Sequence, residues 1–151
     1  MPSQLAAVGE AIVDDLNRLS GRGEWPARVE ARRAYLHEFE LEVAGDVLLA
    51  TLSPVSRTVE SLTRGDDQQT LEFWLSFCKR VTDTETRTID PLVETVELVQ
   101  DAYGDEHEIE GPDGQVRALA ATLEAAYDVE LLKQAGLFVA LLSLSVLVYP
   151  R

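Results

Sequence analysis

The apolar and polar positions are most informative at the C-terminal end of the chain. From Leu137 to Tyr149 the only polar groups are the hydroxyls of Ser143, Ser145 and Tyr149. The stretch is rich in valine and aromatic residues, which favours a strand, and it is shorter than the roughly 20 residues of a bilayer-spanning helix. Because apolar side chains alternate on both faces, we predict a central strand that is covered on both sides.

The two faces of this predicted strand differ in one respect. The even-numbered face is wholly apolar, whereas Ser143 and Ser145 interrupt the odd-numbered one, so we expect the cover over the odd face to thin at these serines. The even face carries Phe138, Ala140, Leu142, Leu144, Val146 and Val148, and the odd face carries Leu137, Val139, Leu141 and Leu147.

Two other segments show the periodicity of amphipathic helices. The first is 4–20, where Leu5, Val8, Ile12, Leu16 and Leu19 recur at spacings of three and four. Ser3 is its predicted N-cap, and Gly21 follows its end. The second is 90–103, with Pro91 in its first turn and Gly104 after its end.

Alternating patterns predict further strands at 29–36, at 47–54 and at 70–81, and a more exposed one at 56–62. Within 70–81, Trp74 lies on the face opposite Phe73 and Phe77. Residues 37–46 fit either a short helix or a strand. Residues 116–127 fit a helix by their alanine and leucine content and a strand by their alternation, so both alternatives stay open.

These elements predict one α+β domain that covers residues 1–151. We expect a single, mostly antiparallel sheet of about four to five strands, with the two main helices packed on one face. The odd face of the terminal strand then needs a different cover, for which self-association is the simplest candidate.

The charge of the chain restricts its partners. The chain has 27 acidic and 13 basic residues, which gives a net charge of −14. Such a chain repels the phosphates of nucleic acids and of anionic membranes, so we expect neither to be a binding partner. No basic segment followed by an apolar core opens the chain, and we expect a protein that is made in a cytosol.

No catalytic or cofactor site is predicted. Cys78 is the only cysteine, so a disulfide within the chain and a zinc site built on cysteines are excluded. Glycine-rich phosphate loops are absent, and neither His37 nor His107 lies in a catalytic motif. The acidic stretch 105–110 around His107 could hold a metal, but its spacing matches no ligand pattern and an exposed acidic loop is favoured. We therefore expect no enzyme, metal or cofactor.

Candidate contact residues come from the basic and aromatic positions. Arg28, Arg32 and Arg33 cluster on the first predicted strand, with Arg22 upstream. They form either salt bridges within an acidic surface or a contact patch for an acidic neighbour such as a second copy, and the two interpretations are equally weighted. Trp74 and Phe138 are the aromatic candidates for a subunit contact.

The order of these segments resembles the tail terminator and tail-completion proteins of tailed bacteriophages, which are small proteins of the neck. The resemblance covers almost the whole chain except the loop 105–115. It is carried, in order, by LAAVGEAIVDDLN, ARRAY, LLATLSP with Arg57 after it, TLEFWLSFCKRV, the helix opening Asp90-Pro91-Leu92, and YDVELLKQAGLFVALLSLSVLV.

The resemblance implies a structural virion protein that forms a ring, commonly a hexamer, on the head-proximal end of the tail tube. It implies the tail-tube protein and the head connector or stopper as partners, and a strand rather than a helix at 116–127. DNA would pass through without specific binding. Candidate acidic residues facing the channel are Asp66, Asp67, Asp105, Glu106 and Glu108. The alternatives are another head–tail connector component, or an acidic DNA mimic that binds a nucleic-acid-binding protein.

Overall fold

The structure of the protein is a computed structural model, which describes residues 3–35, 47–63, 66–104, 106–111 and 114–150. The predicted elements at 37–46 lie outside the described residues. The helices are α1 (Gln4–Ser20), α2 (Thr86–Tyr103) and α3 (Val129–Ala135), and the strands are β1 (Arg28–Arg33), β2 (Val47–Thr63), β3 (Asp66–Arg80), β4 (Glu108–Glu110), β5 (Gly114–Ala125) and β6 (Leu137–Pro150).

All the described strands form one sheet in the order β1-β2-β3-β6-β5-β4. β1 runs parallel to β2 and every other pair is antiparallel, so a mostly antiparallel α+β sheet is confirmed. The predicted number of four to five strands is too low. The additional strand is β4, which lies in the stretch predicted as a loop and forms because Ile109 is buried opposite Val116.

The two predicted strands at 47–54 and 56–62 are one continuous strand, β2. Pro54 does not end it, because the proline lies at a bulge where the register with β3 shifts between Pro54 and Ser56. A proline lacks the N–H of a ladder hydrogen bond, and a bulge is one of the few positions in a sheet that tolerate this loss.

Both predicted helices exist, but α2 starts earlier than predicted. Ser3 caps α1 by accepting from the backbone N–H of Ala6, as the sequence predicts. α2 begins at Thr86, so Pro91 lies inside the helix rather than in its first turn. The buried residues of α2 start only at Leu92, and the apolar pattern therefore did not extend to the true start of the helix.

The central strand β6 separates two unlike faces of the sheet. Its even face is the main core, where Phe138, Ala140 and Leu142 pack with residues of α1 and α2. On the odd face, Leu137 and Val139 form a smaller cluster with Cys78, covered by Leu131 of α3. The prediction of two helices on one face is thus incomplete, because the third helix covers part of the other face.

Residues 114–125 form strand β5 and settle the open choice between helix and strand. β5 pairs with β6 along its length, with register shifts between Ala118 and Ala120 and between Leu123 and Ala125. The pairing fills the free edge of β6, a tertiary interaction that outweighs the intrinsic helix propensity of alanine and leucine, about 0.5 kcal/mol per residue.

Candidate assembly surfaces

The odd face of the sheet carries an open apolar groove. Its main part has a volume of about 250 Å³ and is lined by Trp74, Val139, Leu141, Leu131 and Ala125, among others. A smaller depression that shares Trp74 continues it past Ser143 and Ser145. On this face Leu141, Ser143 and Ser145 are half-buried while Val139 and Leu147 are buried, so the cover thins at the serines as predicted and already at Leu141.

Trp74 is the largest side chain exposed on this face, at 45% of its surface. Its Cα partner on β2 is Ser53, which is only 4% exposed and whose hydroxyl has no hydrogen-bond partner among the described residues. A buried hydroxyl without a partner costs about 1–3 kcal/mol relative to a bonded one. The sheet therefore presents a large exposed aromatic ring directly beside an unsatisfied polar group.

Phe138 is not a contact residue. It was predicted as one together with Trp74, but it lies on the even face and is fully buried in the main core. Its side chain is covered by the protein's own helices and cannot touch a second subunit.

The outer edge of β1 is closed to further strands. The Asn17 side chain accepts from the N–H of Ala31 at 2.8 Å and donates to its carbonyl at 3.1 Å, as a neighbouring strand would. The N–H groups of Val29 and Ala27 donate to the hydroxyls of Ser20 and Thr95. Helical side chains thus take the backbone groups through which another chain would extend the sheet.

The outer edge of β5 is covered in a similar way. The N–H of Ala118 donates to the His107 carbonyl at 2.8 Å, next to the β4 pairing, and the Gln100 side chain donates to the Ala121 carbonyl at 3.1 Å. These backbone groups of β1 and β5 are therefore occupied within the subunit, and beyond β5 the outermost strand of the sheet is the three-residue β4.

The arginine cluster divides into bound and unpaired members. Arg33 forms an ion pair with Glu10 at 2.9 Å, and Arg32 Nε donates to the Thr51 hydroxyl at 3.4 Å. Arg28 and Arg22 are exposed and form no ion pair with any described residue. The salt-bridge interpretation therefore holds for Arg33, while Arg28 and Arg22 remain candidates for an intermolecular contact.

Two acidic segments that are distant in the sequence lie at the same end of the sheet, on β3 and on β4, with β6 and β5 between them. Asp66 and Asp67 begin β3 at the turn from β2, and Glu60 pairs with Gln68 beside them. Glu110 on β4 pairs with Gln115 on β5, which in turn pairs with Tyr149 on β6. Glu110 therefore lies at the same end of the sheet. Glu106 and Glu108 are exposed nearby, although Glu108 also contacts Arg117 at 3.4 Å, and Asp105 lies outside the described residues.

A buried polar cluster joins α1, the end of α2 and the start of β4. Asp15, only 4% exposed, accepts from the Tyr103 hydroxyl at 2.5 Å, lies 2.7 Å from Nε2 of His107, and is paired with Arg18. The ring of Tyr103 contacts the His107 imidazole edge-on at 5.2 Å. Sequence reasoning missed this cluster, because its members are up to 92 positions apart and no local motif links them.

The cluster predicts how stability responds to alkaline pH. Burial and the adjacent Asp15 carboxylate raise the pKa of Tyr103 well above its ordinary value. The neutral phenol therefore contributes stability that is present below pH ~10, the unfolded pKa, and is lost as the pH rises above it. Tyr103→Phe should lower the free energy of unfolding near pH 7 by about 1.5–3 kcal/mol, because Asp15 loses a donor, and should flatten the alkaline decline.

Urea unfolding followed by tryptophan fluorescence between pH 7 and pH 11 measures both effects. The matched control is Tyr127→Phe, since Tyr127 is 48% exposed and its hydroxyl forms no hydrogen bond with a described residue. Equal losses in the two variants would show that the buried hydroxyl is not the stabilising group.

The described residues show neither a cluster of metal-binding side chains nor an activated thiol. They contain no group of three or more histidine, cysteine, aspartate or glutamate side chains placed to hold a metal ion. Burial raises the pKa of the Cys78 thiol, which disfavours the thiolate that a nucleophile requires. No described helix is long and apolar enough to span a membrane.

Two comparisons with known proteins, one with family models and one with curated sequences, found no match. No protein-family model matches the sequence, and no curated protein shows significant similarity to it.

Proposed function

We propose that this protein is a structural component of the phage neck, a tail terminator or tail-completion protein that forms a ring on the head-proximal end of the tail tube and docks to the head connector. It would assemble in the host cytoplasm and remain in the virion. The observation that supports the proposal best is that two acidic segments, on β3 and on β4, lie at the same end of one sheet.

The acidic end suits a channel through which DNA passes. If this end of every subunit points inward, the start of β3, whose sequence opens with Asp66 and Asp67, and Glu108 at the start of β4 give the bore a negative charge. Phosphates are then repelled rather than retained, so the DNA slides without binding. A ring whose bore is lined by neutral or basic residues would contradict this orientation.

The open groove suits the contacts between subunits. A monomer rarely leaves a large aromatic ring such as Trp74 exposed in an apolar groove without a binding partner. A contact between two different surfaces of identical subunits closes into a ring when the rotation permits it. The resemblance implies six subunits in the ring. The subunits can be counted in the ring images described next.

The function is tested by adding the purified protein to polymerising tail-tube protein and imaging the products by negative-stain electron microscopy. We expect rings at one end of each tube and shorter tubes than without the protein. Tubes of unchanged length with bare ends would contradict the proposal. So would binding to a nucleic-acid-binding protein in competition with DNA, which is the behaviour of a DNA mimic.

The orientation of the bore makes a separate prediction. Replacing Asp66, Asp67 and Glu108 by lysine should leave the rings intact but make them retain double-stranded DNA at low salt, with retention lost as salt increases. The control carries lysine at Glu94, Glu97 and Asp101, which are exposed on α2, and has the same net charge. Equal DNA retention by both variants in a filter-binding assay would show that the acidic end does not face the DNA.

A further inference from the structure

The outer side of β2 is only partly covered. β1 pairs with β2 as far as Leu52, and the last backbone hydrogen bond between described residues on this side runs from the Ala34 N–H to the Leu52 carbonyl at 3.0 Å. β2 continues to Thr63, and no described strand pairs with its outer side beyond that bond. Unpaired backbone groups on a sheet edge are a template for a further strand.

The register shows which backbone groups face outward. Successive residues of a strand direct their N–H and C=O groups to opposite sides. Leu52 is directed towards β1, so its partner Leu75 on β3 bonds to β6 instead, as does every second residue of β3 from there. The β2 residues opposite them therefore direct their N–H and C=O groups away from β3, and these residues include Arg57 and Val59.

The regular part of this side of β2 is 56–61, because the register with β3 shifts on either side of it. In the text below, the open edge means the outer side of 56–61. Val59 is 45% exposed, and Arg57 and Thr58 are exposed as well. The open edge thus combines outward backbone groups with β-branched side chains, and it has the length for one short added strand.

The open edge is acidic on the face of the sheet that carries Trp74. By alternation, Glu60 and Glu72 lie on this face, and both are exposed. Glu72 accepts from the hydroxyl of Ser56 at 3.2 Å, and neither carboxylate forms an ion pair with a described residue. An added strand with lysine or arginine at alternate positions would place a cation beside each carboxylate.

A second copy of this chain does not supply a matching strand. Its described edges at β1 and β5 are bonded to the side chains of Asn17 and Gln100, and β4 has only three residues, two of them glutamate. Antiparallel pairing of two open edges would bring Glu60 of each copy towards Glu72 of the other. This repulsion adds to the net charge of −14 on each chain, so a different, basic partner is favoured.

We propose that the open edge of β2 binds an extended segment of a different protein by strand addition. The segment carries lysine or arginine on the face of Glu60 and apolar side chains on the face of Val59, and it bonds to the backbone groups of Arg57 and Val59. The contact is separate from the subunit contact of the ring, because it uses the edge of the sheet rather than the groove around Trp74.

A short synthetic peptide that alternates valine and lysine is the probe, and fluorescence anisotropy at physiological salt measures its binding. The control peptide has the same charge but proline in place of alternate valines, so it lacks the donors and cannot pair as a strand. We expect the first peptide to bind the wild-type protein about tenfold more tightly or better. Equal binding would show that charge alone attracts the peptide and would overturn the proposal.

Hydrogen exchange followed by NMR locates the contact on the wild-type protein. The peptide should slow the exchange of the amide protons of Arg57 and Val59, which face outward. It should leave the amide of Thr58 unchanged, because that N–H already faces β3. Binding without protection of Arg57 and Val59 would mean that the open edge is not the site.

Val59→Pro removes one outward N–H without removing a bond to β3, and it should weaken peptide binding by about tenfold or more. Val129→Pro is the matched control, since Val129 is exposed at the first position of α3, where proline is tolerated. Circular dichroism checks that both variants are folded. Equal peptide binding by the two folded variants would contradict the proposal. So would a wild-type dimer that Val59→Pro dissociates and Trp74→Ala does not, because the open edge would then bind a second copy.

Discussion

Leu142→Ala is expected to lower the free energy of unfolding by about 3–5 kcal/mol, whereas the same change at the adjacent Leu141 should cost only about 1 kcal/mol in the isolated subunit. The residues are neighbours on β6 and chemically identical. Leu142 is fully buried on the even face beneath the helices, and its truncation leaves a cavity. Leu141 is half-buried in the groove, where water can fill the space that the missing side chain leaves.

Urea unfolding of the two variants at one pH and temperature measures this difference. The comparison cancels effects of strand propensity, since both positions lie in the middle of the same strand. Similar costs for the two substitutions would mean that the odd face is packed as tightly as the core, and the groove would then not be an open surface. A small cost for Leu142→Ala would contradict the position of the main core.

Trp74→Ala is expected to abolish ring formation at concentrations where the wild-type protein assembles, while the subunit stays folded. Central aromatic residues of interfaces commonly contribute about 2–4 kcal/mol, which corresponds to a weakening of the subunit contact by roughly 30-fold to 1,000-fold. Because Trp74 is 45% exposed in the single chain, much of its apolar surface is still to be buried on assembly. The loss should also appear as failure to cap tail tubes.

Two controls accompany this variant. Trp74→Phe keeps an aromatic ring in the groove and should retain most of the assembly. Val59→Ala removes an equally exposed apolar side chain near the acidic end of the sheet, outside the groove, and should leave the subunit contact unchanged. If Trp74→Ala forms rings as readily as the wild-type protein, the groove is not the subunit contact.

The elements with a strong local pattern could be predicted from the sequence. The five-residue apolar stripe and Ser3 define α1, and the doubly apolar composition of β6 marks it as a covered central strand. Trp74 lies on the face opposite Phe73 and Phe77, as predicted, since alternation in a strand assigns faces without knowledge of the partner strands.

Other elements depend on distant residues and gave no readable local signal. β4 has only three residues and exists because Ile109 meets Val116. The helix α3 has no buried residue of its own, and Leu131 acquires its role only from Leu137 and Val139 beneath it. Phe138 lies in the core and not, as predicted, at a subunit contact, because periodicity shows that a face is apolar but not which layer covers it.

Some features of the candidate surfaces follow from the sequence alone, and others depend on the tertiary structure. The sequence alone determined the strongly acidic charge, the two unlike faces of β6 and the thinning of the cover at Ser143 and Ser145, because these follow from composition and from the period of two along a strand. Only the tertiary structure decided that Asn17 closes the β1 edge, that the two acidic segments share one end of the sheet, and that Asp15 joins Tyr103 and His107. Strand order and register bring such residues together, and these are set by the packing of the whole chain rather than by any local pattern.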